Sequence, residues 1–339
     1  MRIAIHHYKD DFSDRWIEYC ENNNIDYGLV DCYKNDIIEV MKNYDLLLWS
    51  WNLSHFESLQ FAKELIYSLE IMGKIVFPNF KTSYFYDNKV GQKYLLESIN
   101  APIIPSYVFY TKKDALKWVS TTSFPKVFKL SGGAGSMNVK LCHTQNEAKK
   151  FINQSFGKGF AQVDRVSWFQ DKMKKFKEKP SKSSFENLVK SFGRLFIQTE
   201  KEKVMSREKG YIYFQEFIPR NTFDIRVITI GNKAIAIKRL CRDGDFRASG
   251  SGKIVYDKNQ IPSECIKIAF ETSKKLHFQS MAYDYVFDQD NRPLIVEMSY
   301  HFAPYIYDDC QGFWDEKLDW HDMEINPQKM IIESLIKNS

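Results

Sequence analysis

Residues 284–299 read DYVFDQDNRPLIVEMS, and this stretch decides how the chain is understood. Strand-like apolar residues run up to Phe287, break over 288–293 and resume toward Met298, the pattern of a β-hairpin with a polar turn. That arrangement sets Asp284 and Glu297 on neighbouring strands, so two carboxylates converge. Such a pair suits a hard cation, because Mg²⁺ is commonly held by one or two carboxylates together with substrate phosphates. An ordinary hairpin with solvated acids fits the same letters, and the rest of the chain has to choose between the two.

Working outward, the chain has 339 residues, more than a single hydrophobic core sustains, so two or three subdomains are expected. No run of eighteen apolar residues occurs, and the start MRIAIHH turns polar too early for a signal peptide. No membrane span and a cytoplasmic location are therefore expected. Cys20, Cys32, Cys142, Cys241, Cys265 and Cys310 show neither CxxC nor His/Cys ligand spacing, which argues against a zinc site and a disulfide framework. They read as buried thiols. The net charge of +5 is uneven: residues 172–209 carry twelve Lys/Arg against five Glu, leaving the remainder slightly acidic. This basic segment reads as a helical or mobile insertion. A solvated surface is the common reason for such a run; an anionic or lipid-linked partner stays open, and nucleic acid is not expected.

The first eighty-five residues alternate in type. Stretches at 2–7, 25–31, 44–50 and 74–78 read as strands separated by amphipathic helices, a small parallel α/β domain. No GxGxxG turn follows the first strand, so it is not a dinucleotide site. His6, His7, Trp49, Trp51 and Asn52 fall at strand ends, where ligands of open α/β sheets bind; they form either a substrate wall or ordinary packing.

A helix is expected from near Asp87 to before NAPIIP at 100–105, and a strand over 124–130 runs into SGGAGSMNV at 131–139. Glycines there let successive backbone N–H groups curl round a phosphate, and Lys129 adds a point charge; no GlyLysSer/Thr closes the loop, so it is not a Walker A motif. Taken in order, Asp87 and Lys89, Lys129, the glycine-rich loop, YIYFQEFIP at 211–219, DIR at 224–226 and the acidic hairpin resemble the ATP-grasp superfamily over roughly residues 87–303. Within it, DIRVITIGNKAIAIKR at 224–239 followed by GDFR at 244–247 is most similar to the branch of ribosomal-protein glutamate ligases and related carboxylate–amine ligases.

The resemblance implies an α/β fold with three parts: a pre-ATP domain over 1–85, a first lobe over 86–214 with an insertion at 155–209, and a second lobe over 215–339. It implies ATP held by Lys89 and Lys129 and covered by Gly132, Gly133, Ala134, Gly135 and Ser136. Gln215, Glu216, Phe217 and Ile218 correspond to the hinge that reads adenine. Asp224 corresponds to a ribose-binding acid, or else positions Arg226. Arg226, Arg239 and Arg247 match basic residues facing the phosphoryl group and the activated carboxylate, with Arg247 the expected catalytic one. Asp284 and Glu297 match ligands of two Mg²⁺ ions. The chain departs from the family pattern at Ser299 and Ser249, both expected to be asparagine, so a hydroxyl or water replaces one ligand.

The implied reaction has two steps: ATP phosphorylates a carboxylate, and an amine then displaces phosphate to give an amide-type bond, ADP and Pi. The glycine loop closes to keep water from the acyl phosphate, and His301 is a candidate to deprotonate the amine. The tail at 308–328 resembles a subgroup associated with surface-polysaccharide gene clusters, which implies a sugar acid as the carboxylate. Trp314 and Trp320 either stack on that sugar or staple the tail. A hydroxyl kinase and a non-catalytic ATP-binding module are the alternatives, and the oligomeric state, including a homo-oligomer, is left open.

Overall fold

The computed structural model describes residues 1–9, 11–53, 55, 57–132, 138–162, 165–178, 180–193, 197, 202, 206–242, 245–248 and 250–337. Its strands form three sheets, which group into two compact units: residues 1–86, 94–103 and 220–339 in the first, and 87–93 and 104–219 in the second.

The first unit opens with four short parallel strands, β1 (Ile3–His6), β2 (Tyr27–Val30), β3 (Leu46–Leu48) and β4 (Ile75–Phe77), in the order β2-β1-β3-β4. They lie within the four expected stretches. Helices Phe12–Asn22 and Ser58–Ile71 connect them, the first begun by Asp11, whose carboxylate accepts the Phe12 N–H. The strands alternate their burial: Ala4 and Leu47 belong to one core with Leu65 and Ile66, while Ile3, Ile5, Leu46 and Leu48 belong to another with Phe12 and Trp16.

The same unit contains an antiparallel sheet. It comprises β9 (Phe223–Ile230), β10 (Lys233–Leu240), β11 (Ile254–Val255), β12 (Ser280–Phe287), β13 (Pro293–Ser299), β14 (Gly312–Asp315) and β15 (Trp320–Asp322), ordered β13-β12-β9-β10-β14-β15 with β11 paired to β10. One face buries Ile225, Val227, Ala234, Ala236, Tyr283 and Tyr285 with Cys265, Ile266 and Ala269 of helix Ser263–Leu276. The opposite face buries Ile228, Ile230, Ile235 and Ile237 with Met330, Ile331 and Ile332 of helix Pro327–Lys337.

The second unit carries β5 (Ser106–Phe109), β6 (Lys126–Lys129), β7 (Lys140–Cys142) and β8 (Ile212–Glu216), an antiparallel sheet in the order β5-β8-β6-β7. Phe128, Ile212 and Phe214 face a core completed by Ala115 and Val119 of helix Lys112–Val119 and by Ala148 and Ile152 of helix Gln145–Ser155. Thr111 and Thr144 cap these helices, each accepting an N–H three residues on. The basic insertion forms two helices, Arg165–Glu178 and Lys182–Gly193. All six cysteines are free thiols, and only Cys241 is not buried.

Candidate functional site

In the antiparallel sheet of the first unit, register brings the expected residues together. Arg226 pairs with Asp284 across β9–β12, Asp224 with Arg239 across β9–β10, and Asp284 with Glu297 across β12–β13. Because side chains alternate along strands, Asp224, Arg226, Arg239, Asp284, Glu297 and Ser299 share one face. A bulge makes this possible. Asp284 is opposite Glu297 but Tyr285 is opposite Ile295, so Val296 is passed over. Ile295, 0% exposed, thus faces the helix Ser263–Leu276 core while Glu297, two residues on, faces the opposite way.

The four inner residues form a closed ionic network. Arg226 donates from Nε and Nη2 to the two Asp284 oxygens at 2.6 and 2.7 Å. Arg239 donates in the same forked way to Asp224, at 2.6 Å twice, and its Nη2 also lies 2.9 Å from Asp284 Oδ2. Burial pushes the Asp284 carboxyl upward, but Arg226 and Arg239 outweigh it and hold the group well below the usual carboxylate range. Burial likewise acts against the Arg226 charge, and Asp284 reverses this, holding the guanidinium protonated. Two arginines thus balance two aspartates, and each guanidinium keeps its Nη1 end outside these contacts.

This geometry bears on each expectation. Asp224, matched to a ribose-binding acid, has both oxygens on Arg239; where it positions an arginine, that arginine is Arg239 rather than Arg226. Asp284 serves two guanidinium groups. Ser299 donates its hydroxyl to the His301 carbonyl at 2.7 Å. Arg247 is half-buried and forked onto Asp245, from Nε at 2.9 Å and Nη2 at 2.8 Å. Ser249 lies outside the described residues.

Among the described residues no group of three or more His, Cys, Asp or Glu is arranged to hold a metal ion. The donor chemistry of Glu297, Asp284 and Ser299 nevertheless fits Mg²⁺, which takes oxygen ligands and relies on phosphates and water rather than an all-protein cage. In such a set Glu297 would be the principal protein ligand, since Asp284 divides its charge between two arginines.

In the second unit, Lys89 begins helix Lys89–Ser98 and is 5% exposed, its Nζ 3.8 Å from Asp87 Oδ1, while its backbone N–H donates to the Ser131 carbonyl. The helix start is thereby tied to the first residue of the glycine-rich loop. The loop's entry is held by groups the sequence reading overlooked. Glu208 accepts the Ser131 and Gly132 N–H groups at 3.0 and 3.3 Å, and the Tyr211 hydroxyl contacts both Glu208 and the Ser131 amide. A Cβ on Gly132 would stand 3.1 Å from Asp87 Oδ2 and 3.2 Å from Glu208 Oε1, so the close approach favours glycine. Gly133, Ala134, Gly135 and Ser136 lie outside the described residues.

Lys129, 5% exposed, pairs with Tyr213, and Gln215 pairs with Val127, which places Lys129 and Gln215 on the sheet face opposite Phe128 and Phe214. Glu216 is on the other face, bound to Lys126 at 2.7 and 2.8 Å, and its N–H donates to the Pro105 carbonyl. Any reading of an adenine edge at Glu216 therefore falls to its carbonyl. Phe217 and Ile218 follow directly after β8.

At the carboxyl ends of β1 and β3, His6, Trp49, Trp51 and Asn52 are buried and His7 is exposed. Trp51 meets Tyr86 and Tyr300 at ring distances of 5.2 and 5.8 Å. Asn52 donates to Asp11 at 2.8 Å, and His301 Nε2 lies 3.6 Å from the other Asp11 oxygen. The spacing from Asp11 to His301 gives no sequence signal for this meeting. In the tail, Trp314 and Trp320 face each other across β14–β15 at 4.6 Å, and Lys258 covers the Trp320 ring. Both tryptophans pack within the hairpin that extends the sheet.

Residues 161–302 match the family model described as the RimK-like ATP-grasp domain. Among solved structures, a RimK-domain ATP-grasp protein of Sphaerobacter thermophilus aligns over 99% of this chain and 100% of its own, at 13% identity and TM-score 0.55. D-alanine–D-alanine ligase of Bacillus anthracis in complex with ATP covers 100% and 97%, at 14% identity and TM-score 0.57. The biotin carboxylase domain of Hydrogenobacter thermophilus 2-oxoglutarate carboxylase, with MgADP and bicarbonate, covers 98% and 69%, at 12% identity and TM-score 0.57. No curated protein matches in sequence. The fold is that of the ATP-grasp proteins.

Proposed function

We propose that this ATP-grasp chain is an ATP-dependent carboxylate–amine ligase. It activates a substrate carboxylate as an acyl phosphate and joins it to an amine, releasing ADP and Pi. What supports this reading most is the single sheet face bearing Asp224, Arg226, Arg239, Asp284 and Glu297. A carboxylate approaching the γ-phosphate meets a polyanion, and in-line transfer needs fixed cationic donors whose orientation is settled before the substrate arrives. Asp224 and Asp284 give Arg239 and Arg226 that fixed orientation, as forked donors suited to carboxylate or phosphoryl oxygens. Lys89 and Lys129 supply charge for the phosphates, with Gly132 to Ser136 as their cover and Gln215 to Ile218 as the adenine-side strand end.

Mg²⁺, held by Glu297 with Asp284 and Ser299, would neutralise phosphate charge. Arg247, steadied by Asp245, is the third arginine of the set. Water has to be excluded between the two steps, because an acyl phosphate is otherwise hydrolysed. His301, whose Nε2 lies 3.6 Å from Asp11, is the residue we assign to take a proton from an incoming amine. A sugar acid is the carboxylate we propose, from the tail's resemblance alone.

Glu297→Gln tests the assignment. The variant is expected to keep its far-ultraviolet circular dichroism spectrum and thermal midpoint while losing phosphoryl transfer, read as substrate-dependent ADP release. Parent-like ADP release from the variant would sink the metal assignment.

A further inference from the structure

The ligase chemistry leaves the basic insertion without a role. Helix Lys182–Gly193 is well specified: the Ser181 hydroxyl accepts the Ser184 N–H at 3.0 Å, and the Ser184 hydroxyl accepts the Ser181 N–H at 2.8 Å, a reciprocal cap. One side of the helix turns inward, with Ser191 buried and Ser184 and Leu188 half-buried. Ring contacts of Phe169 with Phe192, at 5.9 Å, and of Phe176 with Phe185, at 5.8 Å, join it to helix Arg165–Glu178.

The helix's own phenylalanines in these ring contacts still leave about half of their surface in solvent. Phe185, Val189 and Phe192, at positions i, i+4 and i+7, are 53%, 55% and 54% exposed, and Ile197 beyond the helix is 69% exposed. Such spacing makes one continuous stripe along the helix. Lys182, one turn before Phe185, and Lys190, beside Val189, are exposed as well. They belong to the segment 172–209, with its twelve Lys/Arg against five Glu.

An apolar stripe flanked by lysines has a specific complement, a layer that offers anionic groups above and hydrocarbon beneath. Nucleic acid offers the phosphates, but its backbone gives Val189 nothing to enter. No helix of the described residues is long and apolar enough to span a membrane, so contact would be peripheral. We propose that the helical pair 165–193 docks on an anionic lipid surface, with Phe185, Val189 and Phe192 entering the acyl boundary and the surrounding lysines meeting lipid phosphates. This does not depend on the ligase reading.

Vesicle flotation of the full chain tests it. The chain is expected to float with vesicles of phosphatidylglycerol and phosphatidylcholine, not with phosphatidylcholine alone, and to be released as salt rises. Phe185→Ser with Val189→Ser should reduce the floated fraction about tenfold. Lys182→Glu with Lys190→Glu should do likewise without touching the apolar stripe, which covers the case in which the first variant folds poorly. No flotation with the anionic vesicles overturns the proposal, as does flotation indifferent to both variants. A single-stranded oligonucleotide bound with loss in the lysine variant alone, with no vesicle binding, would assign the surface to nucleic acid instead.

Discussion

Asp224 illustrates how much a single buried carboxylate decides. Its two oxygens are filled by the Arg239 fork, and the pair is almost wholly withdrawn from solvent. Breaking a buried pair on one side leaves the other charge uncompensated, whereas replacing both partners by apolar groups removes the desolvation cost as well. Asp224→Asn is therefore expected to lower unfolding stability by about 3–5 kcal/mol. The double change Asp224→Leu with Arg239→Met should recover much of that loss. Urea denaturation of the three proteins checks both statements. At the same scale, His6 is 5% exposed and its Nδ1 accepts the Cys32 N–H at 2.9 Å, which requires that nitrogen to be unprotonated. Burial lowers its pKa to about 4 from 6.5. Between those values the unfolded chain binds a proton that the folded chain does not, so stability rises with pH from about 4 to 6.5. His6→Gln should flatten the slope of thermal midpoint against pH across that window. An unchanged slope would place the acid sensitivity elsewhere.

Among the elements, the strands of the first eighty-five residues and the acidic hairpin were legible because they follow simple periods. Two features were not. The bulge at Val296 breaks the alternation that a sequence reading assumes, and it alone allows Ile295 and Glu297 to face opposite ways. The pairing of Arg226 with Asp284 depends on cross-strand register, which residue spacing along the chain does not contain. The sequence suggested arginines facing a ligand and an aspartate facing metal; the ion pairs that join them in the structure were not visible in it. The tail contains the β14–β15 hairpin. The β9–β10 turn gives an element-scale prediction. Gly231 has φ of 55°, and a Cβ there would lie 2.6 Å from Ser334 Oγ of the C-terminal helix. Gly231→Ala should cost about 1–2 kcal/mol from the left-handed backbone, with the contact adding to it. Comparison of urea midpoints at equal slope measures this.

For the molecule as a whole, the order of lysines, glycine loop, arginines and acids carried the fold across a chain whose identity to the three solved structures named above is only 12–14%. The chemistry is less constrained than the fold, because acyl phosphate formation and transfer to a hydroxyl draw on the same charges. The measurement that separates them is trapping with hydroxylamine, in ATP, Mg²⁺ and a panel of sugar acids, followed by product mass. The expected result is a hydroxamate formed in step with ADP. ADP accompanied by a stable phosphate ester and no hydroxamate would contradict the carboxylate-activating role.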